Sequence, residues 1–270
     1  MCDDDDAEWV LEDDGRVARV HRHLEKVVGS YEERRVVPPL RQSEATKRFY
    51  LFVVAADPGD SDEVAERRRR FALHYNLLDL LRSMDPTLFE DLCGRVLSEI
   101  GCSATYVTQA SQDYGVDFFG RMPLAQLPSA ITHDITATAR VLGALSMFLF
   151  GQAKRYNAKN VVDDGELKEL ESTWADVARA RTDGQLSIDI ERGLKLVNWR
   201  AADPILLVFA TTSAYTRRAL EFANRKGVIT LDGDQLAQLL LDLAIGVRQE
   251  PDGEWIATAE SIEAACGPVT

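Results

Sequence analysis

Long hydrophobic runs are missing from this chain of 270 residues. No stretch reaches the roughly 18–20 apolar residues of a membrane span, and the longest candidate, residues 141–151, ends in charge. Cysteine and histidine are scarce too. Four of each occur, and Cys2, Cys93, Cys102 and Cys266 form no CxxC pair, nor do the histidines form HxxxH. A zinc site or a disulfide framework is therefore not expected, and the thiols read as buried groups in a reducing compartment. Positive charge is in deficit, with 31 basic against 44 acidic residues and a net charge of −13. That balance argues against a protein that coats nucleic acid non-specifically. It leaves room for a local basic cleft, and Arg67 to Arg70, Lys154-Arg155 with Lys159, and Arg217-Arg218 with Arg225-Lys226 are the candidates. Each could be a solvated helix face, the arginine run more readily than Lys154-Arg155. The opening Asp3-Asp4-Asp5-Asp6 is the reverse of a basic signal-peptide start, so a cytoplasmic protein without membrane contact is expected.

What is present is alternation between helical and extended patterns. Residues 1–7 read as an acidic lead. Val17, Val20, Leu24, Val27 and Val28 fall at helical spacing, with Gly29-Ser30 as the expected stop. Pro38-Pro39 marks an extended connector, and residues 49–55 are aromatic and β-branched enough for a strand. One long helix is expected over residues 61–84, opened by Asp60 with Glu63. Asp85-Pro86 then places a cap and a first-turn proline before Phe89, Leu92, Cys93, Val96, Leu97 and Ile100, which make one apolar stripe up to Gly101. Strands are expected over 103–108, 116–120, 148–154, 204–210 and 228–231. Helices are expected over 164–181, 216–225 and 234–243, and a proline-containing insertion with a helix near 131–145 separates the second and third strands. Strands alternating with helices imply an α/β sheet covered on both faces. The expected organisation is a mostly helical region over 1–80, one catalytic-type domain over 81–248, and a peripheral tail over 249–270.

Two stretches carry the chemistry. Val116-Asp117-Phe118-Phe119 and Phe148-Leu149-Phe150-Gly151-Gln152-Ala153-Lys154 read as short buried strands with polar side chains at their ends. Side chains alternate along a strand, so Gln152 and Lys154 share a face. An amide and an ammonium at the rim of an apolar strand need partners, and an aspartate on the neighbouring strand supplies one. Asp117 is preferred over Asp113, whose place in a polar turn suits a turn cap. Glu90 sits at the edge of the 86–99 stripe, with Gly94 one turn on leaving room above it; a lone glutamate there is ordinarily just solvated. Thr211, Thr212 and Ser213 end a strand before a helix, where hydroxyls and N–H groups can meet phosphate or simply cap.

The ordered set Phe89-Glu90 in a helix, Gly101 ending it, Asp113-x-Gly115-Val116-Asp117, and Gln152-Ala153-Lys154-Arg155-Tyr156 resembles the Mrr-type restriction endonuclease catalytic domain. Phe209 to Ser213, Ala219, Ala223, Leu231-Asp232-Gly233 and Leu236-Ala237 extend the likeness to about residue 245. No single motif is specific; their order is. The resemblance implies the restriction-endonuclease-like fold of the PD-(D/E)xK nucleases, an α/β mixed sheet flanked by helices, with glutamine in place of the usual acid. It also implies a catalytic set of Glu90, Asp117, Gln152 and Lys154. Asp117, Gln152, Glu90 and the Ala153 carbonyl would hold magnesium, or manganese. Arg155, Tyr156, Thr212 and Ser213 would line the DNA path. The gap between Asp117 and Lys154 is longer than usual for the family, and residues 1–80 do not resemble its common winged-helix module.

Such a set suits phosphodiester hydrolysis. Magnesium prefers oxygen ligands and keeps several waters, and a lysine can hold the attacking water and offset transition-state charge. The expected function is a metal-dependent DNA endonuclease, plausible in defence against foreign or modified DNA, acting as a homo-oligomer since two-strand cleavage needs two sites, with partner proteins possible. The competing expectations are a catalytically silent nuclease-fold subunit that binds partners or nucleic acid, and a ligand-activated nuclease.

Overall fold

The computed structural model describes residues 14–42, 50–52, 54, 60–108, 115–123, 145–200 and 203–266. The acidic lead, Asp113 and the helix expected near 131–145 lie outside the described residues, apart from Leu145. The chain divides into two compact units, residues 1–73 and 74–270.

In the first unit α1 (Asp14–Glu33) runs through Gly29-Ser30 instead of stopping there. Ser30 stays inside the helix by donating its hydroxyl to the Val27 carbonyl at 2.7 Å. The stop falls at Arg35, whose positive φ of 56° lets the Val36 N–H turn back to the Tyr31 carbonyl at 3.0 Å. Strands β1 (Leu40–Gln42) and β2 (Tyr50–Phe52) pair antiparallel. The long helix expected over 61–84 is two helices, α2 (Asp62–Phe71) and α3 (His74–Ser83). The break comes where Ala72 and Leu73 bond back three residues, to Arg69 and Arg70, and tighten the last turn. Ser61, not Asp60, is the cap, accepting from the Val64 N–H at 3.3 Å. Asp60 instead holds the guanidinium of Arg68 at 2.8 Å, and Arg69 pairs with Glu66. Arg68 and Arg69 are thereby engaged in local ion pairs.

The second unit opens with α3, whose Leu77, Leu78 and Leu81 are buried. Helix α4 (Pro86–Glu99) starts as expected, with the Asp85 carboxylate accepting from the Thr87 N–H at 2.8 Å. Strands β3 (Ala104–Val107), β4 (Phe118–Pro123) and β5 (Ser146–Lys154) follow, then β6 (Val161–Val162), α5 (Asp164–Thr182) and α6 (Ile188–Leu196). Strands β7 (Ile205–Thr211) and β8 (Ala214–Tyr215), α7 (Arg217–Lys226), β9 (Ile229–Leu231) and α8 (Gly233–Asp242) lead on to the last part of the chain. The central sheet has the order β3-β4-β5-β7-β9. Its first three strands are antiparallel and β5, β7 and β9 are parallel. This is the mixed α/β sheet flanked by helices.

Period-two alternation along β5 divides the core. Phe148 and Phe150, with Phe119 and Phe209, face Leu167, Leu170 and Val177 of α5, Ile190 and Leu194 of α6 and Phe222 of α7. On the other face α4 packs against β3, β4 and β5, and α8 against β7. Gly151 lies there because its register partner Phe118 lays a ring over it; a Cβ at 151 would come within 2.1 Å of that ring. Gly94 likewise admits Val107, 2.4 Å from its Cβ position, so its smallness serves strand β3 and not the space above Glu90. The sequence reading passed over α6. Residues 249–266, read as a peripheral tail, carry structure: β10 (Val247–Gln249) pairs with β11 (Trp255–Ala257), and α9 (Ala259–Ala265) buries Ile262.

Candidate active site

Asp117 stands one residue before β4 and is 7 % exposed. Three backbone anchors fix it. Its N–H donates to the Gly151 carbonyl at 3.1 Å, although the register pairs Gly151 with Phe118, so the chain is offset at the strand's mouth. Its carbonyl accepts the Thr108 N–H at 3.0 Å, and the Thr108 hydroxyl bonds the carbonyls of Val116 and Asp117. The carboxylate then reaches across to β5, where Oδ2 accepts the Ala153 N–H at 2.6 Å. A strand residue directs its N–H and C=O to the same side, so the Ala153 carbonyl faces the edge on which the Asp117 carboxylate sits. The carboxylate is thus bound to the backbone between Gln152 and Lys154.

Gln152 is fully buried, and among the described residues neither its Oε1 nor its Nε2 has a hydrogen-bond partner. Both atoms were expected to find partners, and an orphaned buried amide costs about 1–3 kcal/mol per unsatisfied group. Its surroundings are polar. Around the Cβ position of Gly115, held at φ +79°, lie Gln152 Nε2 at 3.5 Å, Thr173 Oγ1 at 3.8 Å and Glu169 Oε1 at 3.9 Å. Glu169 and Thr173 are one turn apart on α5 and face the same spot; the sequence reading missed them, and their i, i+4 spacing was the only signal. Lys154, next on that face of β5, is half-buried.

Glu90 is carried by α4, which packs against β3, β4 and β5. Burial pushes the Cys93 thiol well up, and the charges of Asp117 and of Glu90 push it further. One buried sulfur therefore lies in the field of both carboxylates. The other expected residues divide. Arg155 donates from Nη1 to the Arg82 carbonyl at 3.2 Å, and Arg82 in turn donates to the Thr212 carbonyl at 3.3 Å. The Tyr156 hydroxyl donates to Glu166, a bond that, ahead of burial, pushes it up to about 12. The Thr212 hydroxyl is fully buried, donating to the Tyr156 carbonyl at 2.6 Å and accepting its N–H at 2.8 Å. Ser213 donates its hydroxyl to the Asn160 carbonyl. Both hydroxyls are spent on tying the end of β7 to the segment between β5 and β6, not presented to solvent.

Residues 81–184 match the family model Mrr_cat, described as a restriction endonuclease. Over this stretch the chain is similar to the restriction endonuclease catalytic domain of the Mrr type. The matched stretch contains Glu90, Asp117, Gln152, Lys154 and the missed Glu169 and Thr173. The central sheet is completed beyond it by β7 and β9, with β7 parallel to β5 and β9 parallel to β7. Two solved structures are similar in shape. One is the MspJI restriction endonuclease in complex with a 27-mer oligonucleotide, at 18% identity and a TM-score of 0.42, covering 79% of this chain. The other is the DNA modification-dependent restriction endonuclease AspBHI, at 17% identity and a TM-score of 0.43, covering 72% of this chain. In each case the match spans 39% of the longer enzyme. No curated protein matches the chain in sequence.

Restriction endonucleases of this family generally use divalent metals, and the donor set can be tested for fit. Among the described residues no group of three His, Cys, Asp or Glu side chains is placed to hold a metal, so a cation here must use amide and backbone oxygens as well. The unpartnered Gln152 Oε1 beside a backbone-anchored aspartate offers that chemistry, and hard oxygen donors suit magnesium or manganese. The residues fit.

Proposed function

We propose that this chain is a metal-dependent endonuclease that hydrolyses DNA phosphodiester bonds. The observation that carries the reading is the anchoring of the Asp117 carboxylate on the Ala153 N–H, next to an orphaned Gln152 amide and to Lys154. Asp117, the Ala153 carbonyl, Gln152 Oε1 and Glu90 would hold magnesium or manganese. Bound there, the cation would neutralise the scissile phosphate and acidify a water for in-line attack. Asp117 supplies the fixed negative charge; its offset backbone and the Thr108 clasp keep the carboxylate from rotating away. Gln152 brings an oxygen without charge, which puts more of the electrostatic demand on Glu90. Lys154 donates hydrogen bonds to the attacking water and offsets charge on the phosphorane-like transition state. Arg155 and Tyr156, next along the chain, would flank the DNA path. Two-strand cutting would require two such sites, hence a homo-oligomer, and defence against foreign or modified DNA is the role that suits such an enzyme.

The net charge of −13 favours a second reading, a silent nuclease-fold subunit that binds a partner. Incubation of the purified chain with supercoiled plasmid, methylated and unmethylated, separates the two. Nicking that needs magnesium or manganese, stops with EDTA and is lost in Lys154→Ala supports the nuclease. A wild type inert on both plasmids supports the silent subunit, and cutting that persists in excess EDTA removes the metal mechanism.

A further inference from the structure

Exposed cations on several helices pair with a carboxylate three or four residues away. Arg95 of α4 meets Glu99, Lys168 and Arg179 of α5 meet Asp164 and Asp176, Lys195 of α6 meets Glu191, and Arg217 of α7 meets Glu221. With 44 acidic residues against 31 basic, such partners are plentiful. Helix α1 carries a stripe of cations without them. At 3.6 residues per turn Arg19, Arg22 and Lys26 fall within about 60° of arc, and all three are exposed. No acidic residue stands three or four positions from Arg19 or Lys26. Glu25, three on from Arg22, is held by His21 at 3.2 Å.

The Nε atoms of Arg19 and Arg22 donate back to the Gly15 and Ala18 carbonyls at 3.3 and 3.2 Å, and among the described residues no carboxylate pairs with any of the three cations. Arg19 with Arg22, and Arg22 with Lys26, are like-charge neighbours at i, i+3 and i, i+4, an arrangement that weakens a helix by itself. A polyanion laid along the stripe turns that repulsion into attraction. The stripe is about 10 Å long at 1.5 Å per residue, and one strand of a DNA duplex advances roughly 3.4 Å per phosphate, so three cations face about three phosphates. A lipid surface fits less well. Leu24, Val27 and Val28, on the far side of α1, are half-buried, and the helix has no Trp or Phe. Among the described residues Val17 and Val20 are its exposed large apolar side chains, too little for insertion at a membrane interface.

We propose that α1 is a DNA-backbone contact, in which Arg19, Arg22 and Lys26 take phosphate oxygens without regard to base sequence. The choice of DNA among polyanions rests on the nuclease reading; the stripe itself does not. Anisotropy of a fluorescein-labelled DNA duplex, titrated with the whole chain in EDTA, reads binding apart from cleavage. Saturable binding is expected, weakening steeply as salt rises from about 50 to 200 mM. Arg19→Gln with Arg22→Gln and Lys26→Gln keeps good helix formers. It should weaken binding at least tenfold at about 100 mM salt, with a log–log salt slope shallower by about two to three. Lys26→Gln alone should flatten the slope by about one, and reads the same contact if circular dichroism shows the triple variant unfolded. Arg19→Lys with Arg22→Lys keeps the charge and should bind like the wild type. Wild-type affinity and slope in the folded triple variant overturn the assignment. So does a wild type that leaves the duplex unbound, or that binds phosphatidylserine vesicles in its place. Plasmid nicking in magnesium, with DNA binding unchanged by the triple substitution, removes the role of α1 and leaves the nuclease. Binding that depends on the stripe, with plasmid left intact in magnesium, supports the role of α1 and removes the nuclease.

Discussion

At the C-terminal end of β5, Gln152 is fully buried, and among the described residues both its amide atoms are unpartnered. At the N-terminal end Ser146 is nearly as buried, at 3 % exposure, yet its hydroxyl oxygen accepts from Arg121 at 2.9 Å and from Arg200 at 3.2 Å. Arg200 is itself held by Asp203 at 2.7 Å. Both polar groups hang on one strand in one sheet, so strand propensity does not separate them. The difference is what the neighbours were built to do. Around Ser146 the Arg200 charge meets Asp203, and both guanidinium groups share the serine hydroxyl. Around Gln152 the neighbouring backbone is held rigid by Thr108 and Ala153 while the amide is left unsatisfied. A fold of marginal stability keeps such an unmade bond where something outside the fold completes it.

The comparison breaks hardest at Lys154. Lys154→Ala, or Asp117→Asn, which keeps an oxygen for the Ala153 N–H, should lower plasmid cleavage by ~10²–10⁴-fold with little change in melting temperature. A large loss of folding with retained cutting would reverse the assignment of that end to chemistry. At the other end, Phe148→Ala removes a fully buried ring from the aromatic stack. It should cost about 3–5 kcal/mol by urea unfolding, while the cleavage rate per folded molecule stays near wild type. Gln152→Met sharpens the contrast. It fills the same space without orphaned polar atoms, and should raise the unfolding free energy by about 1–3 kcal/mol while reducing cleavage. Ser146→Ala should go the other way and lose stability, because it strips an acceptor from two guanidinium groups. A destabilised Gln152→Met would mean that the amide is satisfied within the fold.

Much of this contrast can be read in the sequence, because it rests on period. The alternation through Phe148, Phe150, Gln152 and Lys154 predicts one face, and the stripe from Phe89 to Ile100 predicts α4; both are set by local spacing. What escaped depends on contacts that local spacing does not encode. Gly29 sits inside α1 and the stop waits for Arg35. The break between α2 and α3 has no proline or glycine to announce it. Helix α6 is nine residues long with Gly193 in its middle, a residue that weakens a helical pattern. The structure needs that glycine because a Cβ there would come within 2.3 Å of the Phe119 ring. In the site, Asp117, Gln152 and Lys154 announce themselves by residue type. Thr108, Glu169 and Thr173 do not, since their roles arise only when β3 and α5 close around the end of β4. Thr212 and Ser213 look like phosphate binders in sequence and prove to be clasps that tie the end of β7 to the segment between β5 and β6.

The smallest expected effect tests whether the Ser146 end is closed by charge or merely by packing. Burial pushes the Asp203 carboxyl up, but the hydrogen bonds from the Arg200 side chain and backbone, and the Arg200 and Arg121 charges, outweigh it and leave the group below the usual carboxylate range. A carboxyl depressed in the folded state adds stability at any pH above its unfolded value of about 3.9. That increment is lost as the pH falls from there through the lower folded value. Wild type should therefore melt above Asp203→Asn at pH 7, by roughly 2–4 °C or less given the exposed arginine. The gap should stay constant down to about pH 4 and close below it. An equal gap at pH 7 and pH 2 would show that shape, not the ion pair, is what Asp203 contributes. Disappearance of the gap already near pH 6 would place the titrating group elsewhere, on a histidine.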